Sequence, residues 1–337
     1  MSDEQALLAE VYRRPGEDEP RAVYADFLTD KGNKVGELIH LQLARAKGKK
    51  GTKAKEKRAF DAQGWPDHPV SQICGGVGLD KLDRGFPAVF SPSMPVTPGS
   101  AKEVVESWRK HIGHPGWASL TEVSIFGVDR PIVAELLDCT AMPLLRKVAT
   151  IGPNTLFALK GPLRATELGV MVEGDYEMPN VSAFPHLTHL SWYNEEQEGP
   201  LRSPTTAIET TLRQIREVGF LEQVTDLDLQ GQRIDSLLFD ALRVWPSLPS
   251  NIRRFRLCGS DVNYAELTRD NDLVLHLNAH VVEEVAADLR DLQPDAAPKL
   301  TVEFDNKGYF TKRSRPRLQQ LIRDATAQLP QCELKLE

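Results

Sequence analysis

Apolar residues recur three and four positions apart through the first 45 residues, the period of helices packed on one face. Leu7, Leu8 and Val11 line a first helix after Ser2 and Asp3, which suit an N-terminal cap, and Pro15-Gly16 stops it. A second helix begins at once, with acids at 17–19 and Pro20 in its first turn and an apolar face of Val23, Phe27 and Leu28. Lys31-Gly32-Asn33 ends it, and Val35 to Leu43 opens a third helix with a broad apolar side. Short helices of this kind cannot hide an apolar face alone, so residues 1–47 are expected to form a compact helical unit.

Later the pattern changes. Leu79–Phe90 reads as a first strand, and from Leu120 an apolar-x-x-apolar-x-apolar spacing recurs. Its copies are Leu120/Val123/Ile125, Leu145/Val148/Thr150, Ala165/Leu168/Val170, Leu187/Leu190/Trp192, Val224/Leu227/Leu229 and Ile252/Phe255/Leu257, with a weaker one at Asp272/Leu275/Leu277. The copies start 20 to 37 residues apart, mostly within the 20–29 of leucine-rich repeats. In each copy the last two apolar residues alternate along a strand and face inward, while the residues between them face the other, concave side. Helical patterns fall between the strands, at Val104–Trp108, Ile132–Leu137, Ile208–Val218 and Leu237–Trp245. A helix over Val281–Leu292, a strand at Leu300–Phe304, a helix over Leu318–Ala325 and an edge strand at Cys332–Leu336 close the chain.

The expected fold is therefore α/β: a leucine-rich-repeat-like solenoid of short parallel strands and outer helices, with an N-terminal helical domain. Several strand ends lack the Asn that bonds a regular repeat turn, so the solenoid is expected to be irregular. The boundaries read as 1–47 helical, 48–78 basic linker and loop, and 79–337 solenoid.

Within the helical part, Glu19-Pro20-Arg21-Ala22-Val23-Tyr24-Ala25-Asp26-Phe27-Leu28 followed by Gly36-Glu37-Leu38-Ile39-His40-Leu41-Gln42 resembles the bacterial repeat-companion domain. The resemblance covers about the first 47 residues. Phe27 stands where that family usually has Trp, and Asn33 where it has Asp. The domain occurs in myxobacterial and planctomycete proteins, often before irregular leucine-rich repeats, and Arg84-Gly85-Phe86-Pro87 looks like the transition into repeats in the same proteins. The resemblance implies architecture more than activity. Arg21, Tyr24 and Asp26 could form a recognition patch, but they read better as buried hydrogen bonding that locks the three helices together.

Charge adds a second contrast. The chain carries 48 acids and 41 bases, a net −7, which argues against a protein that coats nucleic acid or an anionic membrane with its whole surface. Residues 45–58 nevertheless hold eight bases and one acid, +7 in one window, leaving −14 for the remainder. With no interleaved aromatic, that run reads as a solvated helix end or linker, and a nucleic-acid partner is not expected. No window approaches 18 uncharged apolar residues and the first 20 residues carry acids, so a cytoplasmic protein without a membrane partner is expected. Cys74, Cys139, Cys258 and Cys332 are scattered and are expected to be reduced and largely buried.

Little catalytic chemistry is written in the chain. His111 and His114 precede Pro115-Gly116 and suit a helix-end or turn contact better than a metal. His186 and His189, with Glu195, Glu196 and Glu198 following, look like a strand start and a solvated loop, and His276 and His280 like a strand and its turn. Gly75-Gly76-Val77-Gly78 lacks the Lys-Ser/Thr of a phosphate loop. No G-x-S-x-G elbow is present. No catalytic residue, cofactor or metal ligand is assigned.

The concave face is more definite. The outward residue after each third apolar position runs Phe126, Ile151, Met171, Tyr193, then Gln230, Cys258 and Asn278, so four neighbouring apolar or aromatic side chains form an expected exposed stripe. Beside it runs a mixed-charge row of Glu122, Lys147, Glu167, His189, Asp226 and Arg254. Aromatic anchors flanked by charges suit a non-catalytic protein–protein interaction module with a protein partner. A regulator or immunity-type inhibitor of a partner enzyme or toxin is the second binding reading. A hydrolase using His189, Asp226 and Asp228 is the enzymatic alternative.

Overall fold

The computed structural model describes residues 2–63, 79–91, 106, 108–125, 130–139, 141–172, 181–194, 204–230, 236–260, 263–270, 272–277, 281–292, 299–304, 315–329 and 331–335. The chain is mixed α/β, with twelve mostly parallel strands among the described residues. It divides into two units, one of residues 1–166 with 182–186 and one of residues 167–181 with 187–337.

The first unit opens with four helices: α1 (Asp3–Arg13), α2 (Asp18–Asp30), α3 (Lys34–Ala46) and α4 (Lys53–Gln63). Ser2 and Gln5 cap α1 reciprocally, a capping box that contributes about 1 kcal/mol. Asn33 caps α3 by accepting from the Val35 N–H at 2.9 Å. The buried side of α2 is Arg21, Tyr24, Ala25 and Leu28, rotated from the expected face, so Val23 stands exposed. Arg21 occupies an apolar position: its guanidinium is buried, donates to the Pro15 carbonyl at 2.6 Å and lies 5.3 Å from the centre of the Phe86 ring. Burial, helped by the neighbouring Arg84 charge, lowers its pKa to about 10. Tyr24 is buried beside it, whereas Asp26 is exposed and bonds His40 on α3 at 3.0 Å. Of the buried hydrogen bonding read from the sequence, Arg21 makes one bond, to the turn before its own helix; Tyr24 is buried in the shared core, and Asp26 makes a surface pair.

Leu79–Phe90 is two strands rather than one. Strands β1 (Leu79–Asp83) and β2 (Phe86–Phe90) pair antiparallel around Arg84 and Gly85, both with positive φ. The hairpin tip enters the helical core. Phe86 is fully buried in one cluster with Val11, Tyr24, Ala25, Leu28, Ile39 and Leu43. The Gly85 N–H donates to Gln42 Oε1 at 2.7 Å, and Arg84 pairs with Asp18 at 2.9 Å. Helices and hairpin therefore share a core, and Phe86 alone contributes about 1.5–3 kcal/mol by burial.

Strands β3 (Glu122–Ser124) and β4 (Lys147–Ile151) continue parallel to β2, with α5 (Arg130–Asp138) between them and α6 (Pro153–Phe157) after them. Phe90 packs edge-on against Trp108 and Trp117 at 5.2 Å each. His114 Nδ1 accepts the Gly116 N–H at 2.9 Å, the turn contact expected of it.

The second unit carries β5 (Glu167–Val172), β6 (His189–Asn194), α7 (Pro204–Glu217), β7 (Asp226–Gln230), α8 (Leu237–Val244), β8 (Arg254–Ser260), β9 (Asn263–Thr268), β10 (Asp272–Leu277), α9 (Val282–Asp291), β11 (Lys299–Phe304), α10 (Arg315–Thr326) and β12 (Cys332–Lys335). These strands pair in chain order. Strands β5 to β8 are parallel and so are β10 to β12, but β9 runs antiparallel to both neighbours, a correction to the expected all-parallel sheet. Two residues separate β8 from β9 and three separate β9 from β10, far fewer than a parallel crossover needs. Leu168, Val170, Leu190, Trp192, Leu227, Leu229, Phe255 and Leu257 are buried on one sheet face, as the repeat spacing predicts.

Candidate functional site

Period-two alternation turns the polar residues of β5–β8 to the face opposite that core. Their register is the expected one. Glu167, His189, Asp226 and Arg254 are successive Cα partners across four strands, and Met171, Tyr193 and Gln230 form a second row. Between these rows runs a third: Gly169, Ser191, Asp228, Arg256 and, across the antiparallel pair, Glu266. Most of these side chains are half-buried; Asp228 is buried.

The rows are braced by charge. Arg254 Nε donates to Asp226 Oδ1 at 2.7 Å, and Arg256 donates through Nε and Nη2 to Glu266 Oε2 at 3.1 and 2.6 Å. Arg256 also lies 3.7 Å from Asp228 Oδ2 and 4.4 Å from the centre of the Tyr264 ring. Tyr264 in turn stacks on His276 with ring centres 5.0 Å apart. Burial raises the Tyr264 hydroxyl pKa and would lower that of Arg256, but hydrogen bonding to Glu266 and the Asp228 charge outweigh this and raise it.

His189 sits at the centre. Its Nε2 is 3.0 Å from Asp228 Oδ2 and 3.3 Å from Ser191 Oγ, while Nδ1 is 3.3 Å from Arg254 Nη2. An arginine nitrogen can only donate, so Nδ1 accepts and the ring proton sits on Nε2, where it donates to Asp228. A Ser-His-Asp relay needs the acid and the serine on opposite ring nitrogens. Here both face Nε2, so the ring cannot take the Ser191 proton while Asp228 orients it. Of the hydrolase set, the structure brings His189 and Asp228 together and places Asp226 on Arg254 instead. Asp228 Oδ1 is buried without a hydrogen-bond partner. Among the described residues no three His, Cys, Asp or Glu side chains stand together as a metal-holding group.

The expected apolar stripe needs correction. Met171 and Tyr193 are half-exposed neighbours as expected, but Ile151 is buried. Thr150 has φ +53°, which breaks the alternation of β4 and turns Ile151 inward; its hydroxyl meets Ser124 Oγ at 2.5 Å. Cys258 is buried opposite Tyr264, and Phe126 and Asn278 lie outside the described residues. In the first unit Glu122 and Lys147 pair across β3 and β4 at 2.9 Å, as their shared row predicts. Cys139 and Cys332 are free and half-buried, more exposed than expected.

Sequence reasoning missed Arg256, Tyr264 and Glu266. Arg256 follows Arg254 by two and so shares its face, a signal present in the sequence. The other two belong to β9, where Val262, Ala265 and Leu267 keep the repeat spacing but start only 10 residues after the copy at Ile252, too close to read as a repeat. Among the described residues no helix is long and apolar enough to cross a membrane. Comparison with protein-family models, with curated proteins and with solved structures gives no match.

Proposed function

We propose that the chain is a non-catalytic, cytoplasmic protein-binding module: irregular leucine-rich-repeat-like repeats of solenoid type behind a repeat-companion helical unit. Repetition of one backbone bond supports the repeat reading. Just before successive strands an amide bonds the carbonyl of the preceding copy: Arg146 to Thr121 in the first unit, Thr225 to Thr188 and Arg253 to Thr225 in the second, at 2.7–2.9 Å, and Thr121 bonds Ala88 of β2 in the same way. Asn251 adds a side-chain rung, donating to the Leu221 and Val224 carbonyls.

The observation that carries the binding reading is the set of registered rows on β5–β8. A side chain every strand spacing, about 4.8 Å, held by ion pairs to its neighbours, is a preorganised surface that loses little entropy on docking. Met171 and Tyr193 supply contact area, and the charges around them reject mismatched partners. The shared Nε2 of His189 favours this reading over hydrolysis. The test is affinity capture from lysate with the intact chain and with a Met171→Glu/Tyr193→Asp variant of matched circular dichroism. A protein held by the intact chain and lost at least tenfold by the variant is expected; equal retention contradicts the reading.

A further inference from the structure

The basic run at 45–58 is not a linker. Residues 46–47 end α3, a short turn crosses Gly48 and Gly51, and the rest builds α4. Thr52 just before α4 and Glu56 and Ala59 within it, spaced four and three apart, are the buried positions among the described side chains. Glu56, the run's only acid, thus points inward, where its Oε2 bonds Arg45 at 2.6 Å. The six lysines between 47 and 57 and Arg58 are all exposed, and none makes an ion pair among the described residues. With Glu56 and Arg45 neutralising each other, the exposed surface from 46 to 58 carries seven positive charges and no negative one.

We infer that this α3–α4 hairpin is a docking surface for the phosphate backbone of duplex nucleic acid, read without regard to sequence. Three features select that occupant. The cations lie on a rigid helix about 16 Å long and on the turn before it, and a duplex offers one phosphate charge per about 1.7 Å of axis. No aromatic side chain is exposed between 46 and 58, so the stacking platform of a single-strand binder is missing. No large apolar side chain is exposed there either, so the wedge of a membrane-surface helix is missing too. The acidic balance of the whole chain confines the contact to this hairpin.

The test is fluorescence anisotropy of the full chain with a labelled 30-base-pair duplex, as DNA and as RNA, across salt concentrations. Four neutralised phosphates give a log–log salt slope of about −3.6, or about a 150-fold loss of affinity between 50 and 200 mM salt. Lys49→Gln/Lys50→Gln/Lys53→Gln/Lys57→Gln, all exposed changes, is expected to weaken binding at 50 mM salt more than about 30-fold and to flatten the slope. Lys160→Gln/Arg164→Gln, elsewhere in the same unit, is expected to leave both unchanged. Circular dichroism and melting confirm that each variant is folded. Tight binding to both duplexes supports a shared phosphate contact, and preference for one names the source. No duplex binding at 50 mM salt, undiminished binding by the quadruple variant, an equal loss in the control, or stronger binding to phosphatidylserine vesicles than to duplex overturns the inference.

Discussion

Replacing Gly85 by alanine tests how the hairpin is seated in the helices. Gly85 has φ +81°, and a Cβ there would stand inside the van der Waals envelope of Ile39 Cγ1 and only 3.1 Å from Ile39 Cβ. Ile39 is fully buried and β-branched, so it cannot swing aside without moving the cluster that holds Phe86. Backbone strain contributes about 1–2 kcal/mol and overpacking about 1–3, giving a loss of about 2–5 kcal/mol. Gly48 separates the two causes: its φ is +84°, but a Cβ there meets nothing within 4 Å. Gly48→Ala should therefore cost only the strain, about 1–2 kcal/mol. The assay is urea unfolding of the full chain, with hydrogen exchange at α2 and α3 to locate the loss. Equal midpoints for the two variants, or a Gly85→Ala change below about 0.5 kcal/mol, would refute the seating described above.

Asp228→Ala should destabilise more than Asp226→Ala although the residues lie two apart on one strand. The first removes a buried partner of His189 and Arg256, about 1–3 kcal/mol after allowance for their partial exposure, and the second breaks a half-exposed pair, below about 1 kcal/mol; chemical unfolding of both variants checks the order. His114 is held below its ordinary pKa of 6.5 by burial and then by the His111 charge. Its contribution is therefore present above the unfolded value and is lost as pH falls through the folded one. His114→Asn, which keeps an acceptor for the Gly116 N–H, should gain on the natural chain in melting temperature from pH 7 to pH 5, and parallel curves would contradict this. Phe86→Ala should cost about 3–5 kcal/mol and expose α1–α3 to exchange, and loss confined to β1 and β2 would count against a common core.

Much of the second unit is legible in the sequence because its strands obey one spacing rule. The apolar-x-x-apolar-x-apolar copies locate β5 to β8 and align Glu167, His189, Asp226 and Arg254 correctly. Strand β9 escapes notice for another reason: Val262, Ala265 and Leu267 keep the spacing, but they start only 10 residues after the copy at Ile252, too few for a repeat with a parallel crossover. The burial of Ile151 depends on a left-handed Thr150, and β-branched residues are the last from which sequence would lead one to expect that conformation. Phe86 reads as a strand residue, and nothing local tells that its ring enters a helical core 43 residues upstream at Leu43. At the site, the row places His189 beside Asp226, whereas the ring leans along the strand to Asp228, a choice made by side-chain direction rather than register.

The most direct test of the binding reading places a photo-reactive side chain at Tyr193, on the polar face of β6, or at Phe239, exposed on α8 of the same unit. Irradiation in lysate is expected to give a discrete protein adduct from position 193, competed by unlabelled chain, and none from position 239. Adducts only from position 239, or equally from both, would contradict recognition by the sheet face.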